Sequence, residues 1–428
     1  MSLRIVGRGA ATASDSPATG RVIAFLIIMF ATEAANGPSG LLQLPVLRYA
    51  KDQLHLSATA ISLYQSLIAV PWLLKPLFGL ISDVVPINRS RRQAYLVGAT
   101  PVALGALIAL MARPGSILLL SELMLLTTAM AVCSSVCGAL LVENGQRLQA
   151  SNVLVNYQWL ALNLTLIASA LTGGYLTQWL APAAAVGASA AVLTAFTALA
   201  MTSSILITPE TRRPLGLPAA GIMSTISRGV VQNRLPVLAI FLFLYMFSPS
   251  IGLPIYFHMT NDLHFSQQFI GTLQSIGSAG AVCGALAYRL VFARLRTLKM
   301  LQLTIVMGIL STLAYLFLAG PYSAGLLNFQ GGFVGAITVV TLASLVADFC
   351  PAGPEGFTFA ILATIENLAV RASDISGSYV YDHLVDHRFV PLIIISAFAT
   401  LLCVPLLPFL NLYDKPQGVA YRSKVAHE

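Results

Sequence analysis

The sequence predicts an all-α polytopic membrane protein with twelve transmembrane helices, on three observations. Of its 428 residues 57% are hydrophobic and only 9% charged, against about 25% charged in soluble proteins, which excludes a soluble globule. The mean hydropathy of +0.80 comes from repeated apolar stretches of roughly 20 residues, the length a helix needs to cross a hydrocarbon core about 30 Å thick. These stretches are continuously apolar rather than alternating, which excludes a transmembrane β-barrel.

The stretches fall near 21–46, 58–82, 93–112, 117–146, 152–180, 183–206, 235–259, 268–292, 299–318, 322–349, 356–384 and 389–412. Each ends at charged, proline or glycine residues. The longest polar interval, 207–234, reads as a cytoplasmic linker between two six-helix halves, 21–206 and 235–412, with tails at 1–20 and 413–428. Basic residues near span ends stay on the cytoplasmic side. With the N-terminus inside, 18 of the 24 Lys and Arg are cytoplasmic, Arg48, Lys51, Arg113 and Arg388 lie outside, and Lys75 and Arg371 lie within spans. Both termini are therefore expected in the cytoplasm, and a bacterial inner membrane is the expected location.

Several classes are set aside. The five cysteines lie in or beside apolar stretches with no CxxC and no histidine at ligand spacing, so neither disulfide nor metal site is expected. The first 20 residues contain no short apolar run ending in a cleavage site, so no removed signal peptide is expected. There is no phosphate-cradling GxxxxGK[ST], no basic module interleaved with aromatics and no Ser/His/Asp set. ATP-driven pumping, nucleic-acid binding, catalytic residues and cofactors are not expected. The expected partners are the lipid bilayer, a small-molecule substrate and protons, and the expected state is a monomer.

Ionisable residues inside spans default to functional sites because their insertion costs a few kcal/mol. Glu33 lies about 18 Å into the first span, near the midplane, where Gly37, Pro38 and Gly40 loosen the helix beside Asn36. Broken helices at that depth hold substrate and ion sites in transporters. Glu33 is read as a proton-coupling and substrate-binding carboxyl, with a protonated kink-holding residue as the alternative. In span two, Lys75 precedes Pro76; it is read either as a substrate cation or as a side chain snorkelling to the cytoplasmic surface. Asp83, Arg91 and Arg92 after span two, with Glu143 and Arg147 at the end of span four, are placed as a cytoplasmic gate. Gln65 and Gln158, with Asn163 and Gln274, have the chemistry to hydrogen-bond a planar heterocycle or to glue helices together. Gly280 and Gly284 in span eight, and Gly331 and Gly335 in span ten, are read as packing residues. In span eleven Asn367, Arg371, Asp374 and Ser378 share a face, while Glu366 points about 100° away. Arg371 and Asp374 form either a structural ion pair or a site for a carboxylate-bearing ligand, with Asp374 a second proton-coupling candidate.

The segment Gly79–Asp83 followed by Arg91 and Arg92 resembles the cytoplasmic-loop signature of the major facilitator superfamily. The longer string from Lys75 to Pro86, LysProLeuPheGlyLeuIleSerAspValValPro, is similar to the folate-biopterin transporter family, whose pattern there is close to KPLYGLISDxxP. The stretches 256–266, with Phe269 and Gly271, and 350–362, with Asn367, resemble the same family. The resemblance implies a major facilitator fold of two six-helix halves. It further implies secondary active transport of folate, biopterin or a related pterin, coupled to protons, by alternating access. Lys75, Asp83, Arg91, Glu143, Thr260, Asn261, Glu355 and Asn367 match family-pattern positions. Span four departs from the family's DxxxDALVVE-like run: Ser134 and Gly138 stand at its aspartate positions.

Pterin chemistry also fits the residues themselves. A pterin edge offers N3–H and a 2-amino group side by side, which one carboxylate accepts as a bidentate pair; Glu33 and Asp374 are candidates. The glutamyl carboxylates of a folate need a cation, and Arg371 and Lys75 are the two in the spans. Alternatives are another organic anion, a nucleoside-like solute such as S-adenosylmethionine, or a non-transporting sensor.

Overall fold

The computed structural model describes residues 17–87, 90, 92–112, 116–148, 151–207, 235–292, 295–349 and 355–410. Arg91, the linker residues 208–234 and the tail 413–428 lie outside these, as does nearly all of the tail 1–20. Among the described residues nine helices are long and apolar enough to cross a membrane. The chain is thus an all-α polytopic membrane protein. Its contacts divide it into two compact units, one of Met1–Leu54 with Leu67–Gly216 and one of His55–Ser66 with Leu217–Glu428.

The first unit contains α1 (Pro17–Asn36), α2 (Gln43–Arg48), the end of α3 (Ala58–Leu73), α4 (Lys75–Val84), α5 (Gln93–Leu110), α6 (Ser116–Leu148), α7 (Ser151–Trp179) and α8 (Pro182–Leu206). The break between α1 and α2 falls where Gly37, Pro38 and Gly40 interrupt the apolar run. Leu41 N–H donates to the Ala35 carbonyl at 2.9 Å, and a Cβ on Gly40 would collide with the carbonyls of Ala34 and Ala35. Only glycine closes this turn. The α3–α4 junction has Pro76 in the first turn of α4; proline has no N–H for the carbonyl four residues back, that of Trp72. Arg48 donates to the carbonyls of Thr177 and Leu180, satisfying the last turn of α7.

The second unit contains α9 (Leu235–Met246), α10 (Gly252–Asn261), α11 (Gln267–Leu290), α12 (Thr297–Ala314), α13 (Pro321–Phe349), α14 (Glu355–Tyr379) and α15 (Phe389–Thr400). The first turns of α3 belong here because the Asp382 carboxylate accepts from the Thr59 N–H at 2.7 Å and its hydroxyl at 2.6 Å. Ser62 and Ser378 also share a 2.6 Å hydrogen bond.

Lipid is as apolar as leucine, so helices in a bilayer associate through close packing and polar contacts rather than through burial alone. The α11–α13 pair shows how. Gly280 and Gly284, expected as packing residues, lie against the backbones of Phe329 and Phe333, and Gly332 lies against Gly277. Gly331 meets the Tyr315 hydroxyl, while nothing among the described residues approaches Gly335. The closest approach to α11 in span ten is therefore at Gly332, one residue from Gly331, while Gly331 packs against Tyr315 instead.

The units repeat one pairing order. In the first, α1 packs on α7, α4 on α6, and α5 on α6 and α8; in the second, α9 packs on α14, α11 on α13, and α12 on α13 and α15. Both begin with a helix broken partway, at 37–42 in the first and at 247–251 in the second. The second break was not anticipated; 235–259 reads as one continuous span.

Candidate functional site

Each unit places an ion pair beside its broken first helix. In the first, Glu33 is one turn from the end of α1. Its Oε1 accepts from the Ser134 hydroxyl of α6 at 2.5 Å and from the Lys75 ammonium of α4 at 3.4 Å. Lys75 Nζ also lies 4.0 Å from the centre of the Trp72 ring, a distance that gives cation–π attraction. The Ser135 hydroxyl donates to the Lys75 carbonyl at 3.1 Å, holding α4 against α6. The Lys75 ammonium is thus held between Glu33 and an indole.

Both lone pairs of Glu33 Oε1 are thus committed, and Oε2 is buried without a partner among the described residues. The expected bidentate grip on a pterin needs two open oxygens, so Glu33 has only half of it to give. Asn36 turns toward α8, where its amide donates to Thr197 Oγ1 at 3.2 Å and to the Thr32 carbonyl at 2.9 Å. That bond joins α1 to α8.

In the second unit Arg371 Nη1 lies 3.2 Å from Asp374 Oδ2, with both side chains under one-third exposed. The neighbouring face of α14 holds the break after α9. Ser250 N–H donates to the Ser373 carbonyl at 3.0 Å, Ser373 donates to the Ser248 carbonyl, and Ser248 donates to the Ser396 carbonyl at 2.7 Å. Gly377 is in contact with the backbone of Ser250, with no room for a Cβ. Replacing Gly377 by Ala should push α14 off the break and lower stability by about 1–3 kcal/mol, read as a drop in the melting temperature of the purified protein. Asn367 is exposed on the Arg371 face, and Gln65 and Gln158 are half-buried; none of the three joins either ion pair.

The residues expected to form a gate are placed in part. Arg92, 4% exposed, donates to Glu143 Oε1 at 2.9 Å and to the Ser82 hydroxyl at 2.6 Å. Ser82 in turn donates to the Gly79 carbonyl at 2.8 Å, so one arginine joins α4, α5 and α6. Arg147 donates to Asn144 at 2.5 Å. Asp83 lies in the last turn of α4, with its side chain outside the described atoms, and Arg91 lies outside the described residues. Removing one partner of a buried pair leaves an uncompensated charge. Arg92→Ala should therefore cost about 3 kcal/mol and lower the melting temperature, whereas the double change Arg92→Met with Glu143→Leu should restore most of it.

Sequence reasoning missed Ser134 as a partner of Glu33, Trp72 as a partner of Lys75, and the Ser248–Ser250 break with its clasp on α14. Ser-Pro-Ser inside an apolar run was the available signal for the last. Among the described residues no group of three or more His, Cys, Asp or Glu is arranged to hold a metal ion.

Comparison with known proteins places this geometry. The profile of the BT1 family matches residues 36–417. A folate-biopterin transporter of Synechocystis is 29% identical over 92% of this chain and 82% of its own length. A probable folate-biopterin transporter of Arabidopsis thaliana is 26% identical over 78% of this chain and 70% of its own. A folate transporter of Plasmodium falciparum is 24% identical over 83% and 80%. Among solved structures, the nucleoside transporter NupG superposes with a TM-score of 0.70 at 11% identity, covering 94% of this chain and all of that one. A D-xylose-proton symporter gives 0.65 at 13% identity over 94% and 97%. These transporters share the major facilitator fold with the chain described here.

Proposed function

Because this chain belongs to the BT1 family, a transporter family and not an enzyme family, we propose that it carries a folate, biopterin or related pterin across the membrane. Carriage is secondary active transport by alternating access, coupled to protons. The observation that bears most weight is the ion pair beside a discontinuous helix in each unit, because discontinuous helices are where transporters bind substrate and coupling ions. The relatives named for folate and biopterin supply the substrate class.

In this proposal twelve spans are counted by joining α1 with α2, α3 with α4 and α9 with α10, giving two six-helix halves. Both termini are cytoplasmic, the membrane is a bacterial inner membrane and the working state is a monomer. Glu33 is the proton-exchanging group, with Asp374 as the second titratable carboxyl. Arg371 holds the substrate's carboxylates, and Asp374 is its partner while the site is empty. Lys75 balances Glu33, and Asn36, Gln65, Gln158 and Asn367 supply further polar contacts. Asp83, Arg91, Arg92, Glu143 and Arg147 form the cytoplasmic gate.

Counterflow tests this directly. Proteoliposomes loaded with unlabelled folate or biopterin should take up the labelled compound, and empty ones should not. A protein that binds these compounds without counterflow is a sensor, and one that exchanges S-adenosylmethionine but no pterin has a different substrate.

A further inference from the structure

Two buried polar atoms flank the Lys75 ammonium and have no partner among the described residues: Oε2 of Glu33, an acceptor, and Nε1 of Trp72, a donor. Lys75 links their residues, 3.4 Å from the other oxygen of Glu33 and 4.0 Å from the centre of the indole ring. A buried donor or acceptor left unsatisfied is costly, and both atoms belong to side chains that line one cluster on α1, α3, α4 and α6. Ser134 and Lys75 both engage Oε1, so Oε2 is the carboxylate oxygen left without a hydrogen bond among the described residues. Indole N–H can only donate, and an ionised carboxylate can only accept. The pair therefore specifies one acceptor and one donor.

We propose that Trp72 and Glu33 together read a lactam edge: Oε2 accepts the ring N–H, and Trp72 Nε1 donates to the adjacent ring carbonyl. Trp72 is then a specificity-determining residue, and the site selects 4-oxo heterocycles against their 4-amino counterparts. A 4-amino ring reverses the order, setting a ring-nitrogen lone pair against the carboxylate and an amino group against the indole N–H. Both contacts become repulsive, and each leaves a buried group unsatisfied. This assignment rests on the pterin reading above for its natural ligand, since pterins and folates carry such a lactam, but the recognition rule holds for any ring that presents one.

The test uses the full-length protein in detergent and measures dissociation constants by thermal shift and isothermal calorimetry. The ligands are matched pairs that differ at the 4-position or its equivalent: a 4-oxo against a 4-amino pteridine, and hypoxanthine against adenine. The wild type should bind the 4-oxo member about tenfold tighter or more, the discrimination expected from one buried hydrogen bond replaced by a clash. Trp72→Phe, which keeps an aromatic face for Lys75 and removes the donor, should bring the two members of a pair to near parity. Methylating the lactam nitrogen should weaken binding to the wild type by about tenfold, a measurement that decides the matter even if Trp72→Phe does not fold. No 4-oxo preference in the wild type, a preference unchanged in Trp72→Phe, or full tolerance of the methylated lactam would each overturn the assignment. If neither pteridine binds while hypoxanthine is preferred to adenine, the pterin reading fails and the lactam rule stands. If no pair binds, both fail.

Discussion

Replacing Glu33 by Gln should abolish accumulation driven by a pH gradient while substrate exchange across the membrane persists at an affinity lowered about tenfold, because the amide nitrogen takes the place of Oε2 and cannot accept a ring N–H. A glutamine has the shape of the protonated acid, and its amide oxygen can still accept from Ser134 and Lys75, the two donors that Glu33 Oε1 holds now. It cannot gain or lose a proton. A transporter that couples through this carboxyl is thereby reduced to an exchanger, and net uptake should fall to equilibration with the medium. The change also leaves the Lys75 ammonium without its counter-charge, and breaking a buried pair costs about 3–5 kcal/mol. Lys75 is one-third exposed and stacked on Trp72, so the expected cost lies below that range. Retained exchange in the same preparation shows that the variant is folded. Gradient-driven accumulation surviving in Glu33→Gln would remove the proton role from this residue.

Arg371→Lys should weaken carboxylate-bearing folates by roughly tenfold or more and plain pterins far less. Guanidinium and carboxylate match as two parallel hydrogen bonds, whereas an ammonium offers a point charge without that fork. Asp374 occupies the guanidinium at 3.2 Å in this structure, and a substrate carboxylate is expected to take its place. Arg371→Ala would confound the measurement, because it leaves Asp374 as an unpaired charge inside a span. Competition of labelled folate by folate and by biopterin, measured in both proteins, gives the two affinity losses. Equal losses for both solutes would mean that Arg371 acts on the protein's structure rather than on the ligand's tail.

What could be read from the sequence depended on whether the signal was local. Glycine and proline at 37–40 announced the first helix break because each acts on its own backbone. Arg371 and Asp374 share a helix at close spacing, so their pairing followed from helix geometry. Arg92 and Glu143 were placed at the same membrane end by the topology. The second break was hidden because Ser248, Pro249 and Ser250 sit in a run apolar enough to pass as one span, and the residues that stabilise it, Ser373 and Gly377, are more than 120 positions away. Ser134 was noted for the aspartate it replaces, yet nothing local tells that its hydroxyl meets a carboxylate 101 positions earlier. Small-residue spacing pointed to Gly331 and Gly335 and not to Gly332, because it gives the period of a contact face but not its phase, which only the partner helix sets.

The most direct measurement is accumulation of a labelled folate or biopterin in proteoliposomes bearing the full-length protein, with the outside made acidic relative to the lumen. Uptake above the external concentration, collapsing when a protonophore dissipates the gradient and absent in Glu33→Gln, is the expected result. Uptake that never exceeds equilibration, or that exceeds it equally with and without the pH gradient, would contradict proton-coupled pterin transport by this chain.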